Sequence, residues 1–91
     1  MIIYKIVCKI TGKIYIGQTL DYKQRCSYHK TYLKRNSHPN LYLQRSWNKY
    51  GQINFKFEII EKCTSLLELN EREIYWINYL NSADSKYGFN I

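Results

Sequence analysis

The sequence predicts an α+β fold, a three-stranded antiparallel β-sheet flanked by three helices. Two short runs rich in β-branched residues enclose a polar loop at residues 9–12, which is typical of a β-hairpin. Strict alternation over residues 53–59 predicts a third strand, and three longer segments show the apolar spacing of helices. The 91 residues are enough for one domain, which we assign to residues 1–91.

The predicted hairpin places two phenols side by side. A register with Ile6 opposite Tyr15 also puts Tyr4 opposite Gly17. Because side chains alternate between faces with period two, Tyr4 and Tyr15 become diagonal neighbours on one face. Gly17 beside them leaves space for another group to approach. Cross-strand packing alone also explains such a pair of tyrosines.

The first helix is predicted over residues 22–35, with Asp21 or Thr19 as its N-cap. Arg25 and His29 are four positions apart, so they lie on one face of this helix. Arg25 has a surface phosphate contact as its alternative role. His29 has as its alternative a purely structural role as a hydrogen-bonded histidine on the helix face.

The second helix is predicted to begin at Pro39, with Ser37 or His38 as its cap, and to end at Gly51. Its apolar face follows i, i+4, i+7 spacing, with Leu43, Trp47 and Tyr50. The spacing of these residues predicts an amphipathic helix that packs on the sheet.

The last helix carries a carboxylate among apolar residues. It begins with the capping-box pattern at Ser65 and is predicted to run to about Leu80. Glu73 falls near the middle of its apolar arc, which comprises Leu66, Leu67, Leu69, Ile74, Trp76, Ile77 and Leu80. An unpaired buried carboxylate costs several kcal/mol or becomes protonated. Glu73 therefore needs a partner, which is an arginine such as Arg25, several hydrogen-bond donors or a metal ion.

Charge is distributed unevenly along the chain. Residues 1–57 hold eleven Lys and Arg against one acid, whereas residues 58–91 hold three against six. A basic surface of this kind is the electrostatic footprint of a polyanion such as DNA. No apolar run approaches the roughly 20 residues of a membrane span, so we expect no membrane partner. Three widely spaced cysteines and no secretory signal predict free thiols and a cytoplasmic location.

Several segments together resemble the GIY-YIG nucleases, a family of metal-dependent DNA endonucleases. The paired motif corresponds to Ile2-Ile3-Tyr4 and Tyr15-Ile16-Gly17, in which Ile2 replaces the usual opening glycine. The remaining matches, in chain order, are Arg25, His29, His38, the run from Leu43 to Gly51, Glu71-Arg72-Glu73, and Gly88-Phe89-Asn90. His38 and the run from Leu43 to Gly51 resemble the phage homing-endonuclease branch of this family.

The resemblance implies hydrolysis of a DNA phosphodiester with one divalent cation, Mg²⁺ or Mn²⁺, held by Glu73. Arg25 is expected to offset charge on the phosphoryl oxygens. Either Tyr4 or Tyr15 helps to deprotonate the attacking water, and His29 orients that phenol or shuttles its proton. The sequence leaves open which phenol acts.

Four further residues are expected to contact substrate or shape the pocket, namely Lys13, Gly17, His38 and Asn90. For His38, a role as a helix cap or loop residue is equally compatible with the sequence. The alternative for Asn90 is a structural role, in which its side chain caps the chain end by hydrogen bonding.

The alternative function is a non-catalytic nucleic-acid-binding module that keeps the fold and the basic face. An interaction domain that uses its ten tyrosines at a protein interface is a third possibility. Joint retention of the six site residues disfavours both, namely Tyr4, Tyr15, Arg25, His29, Glu73 and Asn90. We expect a monomer, and a separate DNA-recognition domain outside this chain.

Overall fold

The protein, described here over residues 1–91 in a computed structural model, has the predicted α+β architecture. Its elements in chain order are β1 (Ile2–Cys8), β2 (Ile14–Thr19), α1 (Tyr22–Lys34), α2 (Leu41–Tyr50), a 3₁₀ turn (Gln52–Asn54), β3 (Phe55–Lys62) and α3 (Leu66–Tyr79). No helix has the length and apolar character that crossing a membrane requires.

The sheet is antiparallel with strand order β2-β1-β3, so β2 forms one of its edges. The predicted hairpin register is confirmed, since Tyr4 lies opposite Gly17 and Ile6 opposite Tyr15. On the other side of β1 the pairing with β3 shifts between Ile3 and Tyr4, which leaves Ile60 as an extra residue in β3. This irregularity interrupts the alternation of faces along β3.

Two apolar clusters lie on opposite faces of the sheet, because neighbouring residues of a strand point to opposite sides. The first cluster contains Tyr4, Ile6, Cys8, Leu33, Leu43, Trp47, Phe55 and Phe89. The second is smaller and contains Ile3, Ile16, Cys63 and Leu69. Helices α1 and α2 cover the first face and α3 covers the second.

The third strand begins later than the alternation predicts. Gly51, at φ 85°, ends α2, and the 3₁₀ turn that follows takes up Ile53, which is 84% exposed. The strand therefore begins at Phe55 and extends to Lys62. Glycine reaches this positive φ without the steric penalty of a side chain. Gly51 therefore sets where α2 ends and where the 3₁₀ turn before β3 begins.

The start of α2 is also corrected. Asn40 is the N-cap, and its side-chain oxygen accepts a hydrogen bond from the Leu43 backbone N–H at 3.0 Å. Pro39 therefore lies before the helix, and neither Ser37 nor His38 caps it. The predicted cap of α1 is confirmed, since Asp21 accepts from the Gln24 N–H.

Helix α3 begins at the predicted cap, where the Ser65 hydroxyl accepts from the Glu68 N–H. Its apolar arc was predicted too wide. Three members, Leu66, Leu67 and Ile74, are exposed, and a narrower stripe of Leu69, Trp76, Ile77 and Leu80 packs on the second cluster. Because α3 contacts mainly the edge strand β2, Glu73 lies at the border of its packed face and is half-buried.

Candidate active site

Strands β1 and β2 and helix α1 bring three aromatic side chains together. The ring centroids of Tyr4 and Tyr15 are 6.4 Å apart, and His29 lies 5.6 Å from Tyr4 and 5.5 Å from Tyr15. Gly17 makes this packing possible, because a Cβ there would overlap the Tyr4 ring. The space predicted beside Gly17 is thus filled by Tyr4 itself, and Gly17 is buried rather than open to substrate.

A chain of hydrogen bonds leads away from Tyr4 into the protein. The Tyr4 hydroxyl lies 2.6 Å from His29 Nε2, and His29 Nδ1 lies 2.7 Å from His38 Nε2. The chain ends at a backbone amide, since the Asn40 N–H donates to His38 Nδ1 at 3.0 Å. His38 was expected to be a cap, a loop residue or a substrate contact; the structure makes it the direct partner of His29.

The backbone amide of Asn40 fixes the direction of every bond in this chain. A neutral imidazole has one N–H donor and one acceptor. Since His38 Nδ1 accepts from Asn40, its proton is on Nε2 and donates to His29 Nδ1. His29 therefore carries its own proton on Nε2 and donates it to the Tyr4 oxygen.

Both histidines are neutral because both are buried. His29 is 2% exposed and His38 is 4% exposed, and their rings stack at 5.0 Å. Burial, together with the nearby His38 and Arg25, lowers the pKa of His29 to about 3. Burial also lowers the pKa of His38. The uncharged state supports the hydrogen-bond direction derived from Asn40.

The two phenols are protonated in the protein alone. Burial raises the pKa of Tyr4 and that of Tyr15, and the negative charge of Glu73 raises the pKa of Tyr15 further. The positive charge of Arg25 acts in the opposite direction on both hydroxyls. An additional cation near the site would lower these pKa values in the same way.

Arg25 is exposed and unpaired at the mouth of the site. Its guanidinium carbon lies 5.2 Å from the centre of the Tyr28 ring, a cation–π arrangement. Neither of the protein's two ion pairs, Lys56–Glu58 and Arg72–Glu61, involves it. Arg25 and Tyr15 line a common cleft of about 480 Å³ with both histidines, which we name the active-site cleft.

Glu73 approaches the phenols from the other face of the sheet, at the edge formed by β2. Its Oε1 accepts a hydrogen bond of 3.3 Å from Gln18 Nε2, which also donates to Asn70 Oδ1 at 3.0 Å. The salt bridge with Arg25 that was considered as an alternative does not form. Burial raises the pKa of Glu73, as expected for a carboxylate without a cationic partner. Sequence reasoning missed Gln18, because nothing in its spacing marks it.

The residues around Glu73 fit a hard divalent cation. Glu73 is a carboxylate with no cation beside it, and the nearby Asn70 offers an amide oxygen. No group of three or more His, Cys, Asp or Glu residues is placed to hold a metal ion. A bound ion would therefore take few protein ligands and complete its shell with water and substrate, as is usual for Mg²⁺.

Of the predicted site residues, only Tyr15, Arg25, His29 and His38 line the active-site cleft. Asn90 pairs with the backbone of β2, since its Oδ1 accepts from the Ile16 N–H at 2.7 Å and its Nδ2 donates to the Ile16 carbonyl at 2.8 Å. Asn90 thus fastens the chain end to the edge strand beside Tyr15. Lys13 lines a different cleft, next to α2.

Comparison with known protein sequences identifies one family of catalytic domains. Residues 1–88 match the GIY-YIG catalytic domain. The chain is 37% identical over 86 residues to "Intron-associated endonuclease 1" of Enterobacteria phage T4, which covers 93% of this chain and 35% of that protein. This chain thus spans about a third of the length of the curated relative that it matches.

Two solved structures have the same fold. The catalytic domain of the homing endonuclease I-TevI superposes with a TM-score of 0.86 at 33% identity, covering 94% of each chain. A point variant of that catalytic domain gives a TM-score of 0.84 at 34% identity, covering 93% of this chain and 88% of the other.

Proposed function

This chain belongs to the GIY-YIG family of catalytic domains, and from that premise we propose that it hydrolyses DNA phosphodiester bonds with one divalent metal ion. The observation that carries the proposal is the presence of two unlike groups beside strand β2, where Tyr4 lies opposite Gly17 and Glu73 is hydrogen-bonded to Gln18. Tyr4 receives a directed hydrogen bond from His29, and Glu73 is a carboxylate without a cation. A domain that only binds nucleic acid needs neither arrangement.

Glu73 would hold the metal ion, with Gln18 positioning its carboxylate. When bound there, Mg²⁺ or Mn²⁺ would supply positive charge that offsets the negative charge developing on the phosphate. A single carboxylate at the site favours one ion over two, because two-metal centres need several bridging ligands.

Tyr4 is the phenol that we assign as the proton acceptor. His29 donates to its oxygen, and this donor stabilises a phenolate. Tyr4 must first lose its proton to solvent, which the positive charge of Arg25 and of a bound ion would favour. The water oxygen would then form a bond to phosphorus and give its proton to the Tyr4 phenolate, while the bond to the leaving oxygen breaks and that oxygen takes a proton from solvent. Since His29 Nε2 already carries a proton, His29 orients Tyr4 and does not shuttle the proton away.

Arg25 and Tyr15 would act on the substrate side of the cleft. Arg25 has no carboxylate partner, so its guanidinium is free to offset the charge that grows on the phosphoryl oxygens. Its positive charge also lowers the pKa of Tyr4. Tyr15 lines the open cleft and would position the attacking water or the phosphate.

A plasmid-cleavage assay in Mg²⁺, in Mn²⁺ and in EDTA tests the proposal. We expect nicked product with either metal, none in EDTA, and little sequence preference from this domain alone. The absence of product in every metal, combined with salt-sensitive DNA binding, would favour the non-catalytic binding module. The monomeric state, the cytoplasmic location and a separate DNA-recognition domain stay predictions.

A further inference from the structure

A second cleft, of about 340 Å³, lies between the hairpin loop and helix α2. Its wall carries three cations and no carboxylate, with Lys13 from the loop and Arg45 and Lys49 from the helix. Hydroxyl groups supply most of the remaining polar atoms, as in Ser46 and Tyr42. We name this feature the α2 cleft.

No carboxylate neutralises the cations of the α2 cleft. Neither of the protein's two ion pairs includes them. The Lys49 ammonium lies 5.3 Å from the centre of the Tyr50 ring. Lys49 also lies in the last turn of α2, where its positive charge interacts favourably with the helix dipole. These roles of Lys49 do not explain why Lys13 of the hairpin loop and Arg45 of α2 line the same cleft. Like charges that converge repel each other, and a bound polyanion relieves that repulsion.

The α2 cleft adjoins the active-site cleft, and Tyr42 lines both. On the far side of the active-site cleft, a third cleft along α1 shares Arg25 and Tyr28 with it. The three clefts thus lie in a row that we name the track, and the middle one holds Tyr15, Arg25 and His29.

The two ends of this track differ in charge. The cleft along α1 sets Lys23 and Arg25 against the carboxylate of Asp21. The α2 cleft has three cations and no acid. Because phosphate contacts depend on cations, the α2 end is the stronger site for a nucleic-acid backbone.

We propose that the α2 cleft binds the backbone phosphates of the cleaved DNA strand on one side of the bond that is hydrolysed. Lys13, Arg45 and Lys49 contact these phosphates, and Tyr42 guides the strand from the active-site cleft. The inference rests on the proposed nuclease function and adds to it a fixed strand path. The cleft along α1 would receive the other side of the strand with fewer phosphate contacts.

The first test measures binding without cleavage. Affinity for a short DNA duplex is measured in EDTA over a range of salt, for the native chain and for Lys13→Ala/Arg45→Ala/Lys49→Ala. The matched control is Lys34→Ala/Arg35→Ala/Lys62→Ala, which also removes two lysines and one arginine, all exposed and outside the three clefts. Each triple includes one lysine from the last turn of a helix, so effects on helix stability are matched.

We expect the cleft triple to lower the slope of log affinity against log salt by about 2.7, since each lost contact removes roughly 0.9. The control triple should change it by less than about 1. Equal changes in the two triples would overturn the proposal. Because the assay needs no catalysis, its result is independent of whether the protein cleaves DNA.

The second test examines the strand path. One strand of a duplex carries a block of three uncharged methylphosphonates, and cleavage in Mg²⁺ is mapped on both sides of the block. The native chain should show suppressed cleavage over several bonds on one side only, and the cleft triple should lose this asymmetry. Symmetric suppression, or asymmetry that persists in the cleft triple, would contradict the proposed path.

Discussion

The candidate site has one half around His29 and His38 and another around Glu73. The two halves differ in how completely their polar atoms are hydrogen-bonded. In the buried half every ring nitrogen of His29 and His38 has a hydrogen-bond partner, and both residues are almost inaccessible to solvent. In the half around β2 and α3, Glu73 has one hydrogen bond of 3.3 Å and is half-buried. The same small domain thus contains one polar network that is complete and one that is not.

This difference indicates which half depends on a ligand. Buried polar groups must be satisfied by the fold itself, because leaving one unpaired costs about 1–3 kcal/mol. A half-open carboxylate has free acceptor capacity, which a metal ion can use. Changes in the histidine half should therefore affect both stability and activity, whereas changes at Glu73 should affect activity alone.

The largest effect is expected for Glu73→Gln, which removes the charge and keeps the shape. Cleavage should fall by more than about 10³-fold, because the metal ion loses its protein ligand. The melting temperature in EDTA should stay equal or rise, because an unpaired half-buried carboxylate is replaced by a neutral amide. Plasmid cleavage and thermal melts of the same preparations measure both, and Glu71→Gln, exposed on the same helix, is the matched control.

A clear drop in the melting temperature of the Glu73→Gln protein would instead indicate a structural role for the carboxylate. Retained cleavage would reject its role as a metal ligand.

Replacement of the two phenols separates their roles within the buried half. Tyr4→Phe should slow single-turnover cleavage by roughly 10²–10⁴-fold, the usual range for loss of a positioned general base. Tyr15→Phe should cost less, since His29 does not donate to it. A larger loss for Tyr15→Phe than for Tyr4→Phe would transfer the proton-accepting role to Tyr15.

Arg25→Ala tests the cation at the mouth of the histidine half, since its charge acts on both phenols. Turnover should fall by about 10²–10³-fold, as for loss of one group that stabilises developing charge. DNA affinity should change little, because Arg25 is one of eleven basic residues among residues 1–57. Equal losses in affinity, from equilibrium titration, and in turnover would make Arg25 a plain phosphate contact.

The pH dependence of stability should reveal the buried histidines. The pKa values of His29 and His38 are lowered in the folded protein, so the unfolded chain binds more protons below about pH 6.5. Stability is therefore full above that pH and is lost as the pH falls. From pH 7 to 5.5 we expect a loss of about 1 kcal/mol from His29 and a further loss from His38, measured by urea unfolding. His38→Gln should reduce that loss, and an unchanged pH dependence in this variant would argue against a neutral buried pair.

Much of the fold could be predicted because it depends on local patterns. The hairpin register follows from alternation around a short loop, and the caps at Asp21 and Ser65 depend on residues three positions away. The start of β3 and the packed face of α3 depend on tertiary contacts, so the sequence placed Ile53 and Ile74 wrongly. Local propensity carries no information about such contacts.

The candidate site was predictable to a smaller extent. Family resemblance marked Tyr4, His29 and Glu73, but not how they are connected. The bond between His29 and His38 depends on how the Asn40 backbone orients the His38 ring, which no residue spacing records. Gln18 was missed because a glutamine on an edge strand is an ordinary surface residue until α3 brings Glu73 beside it.

The central claim is that a neutral histidine pair with a fixed proton direction holds Tyr4 as a hydrogen-bond acceptor. The most direct test is a ¹⁵N NMR titration of the imidazole nitrogens, which is simple to assign because the chain has two histidines. We predict that both carry their proton on Nε2 at pH 7 and that His29 stays neutral down to about pH 4, given a pKa of about 3. A His29 that titrates near pH 6.5, or that carries its proton on Nδ1, would contradict this account.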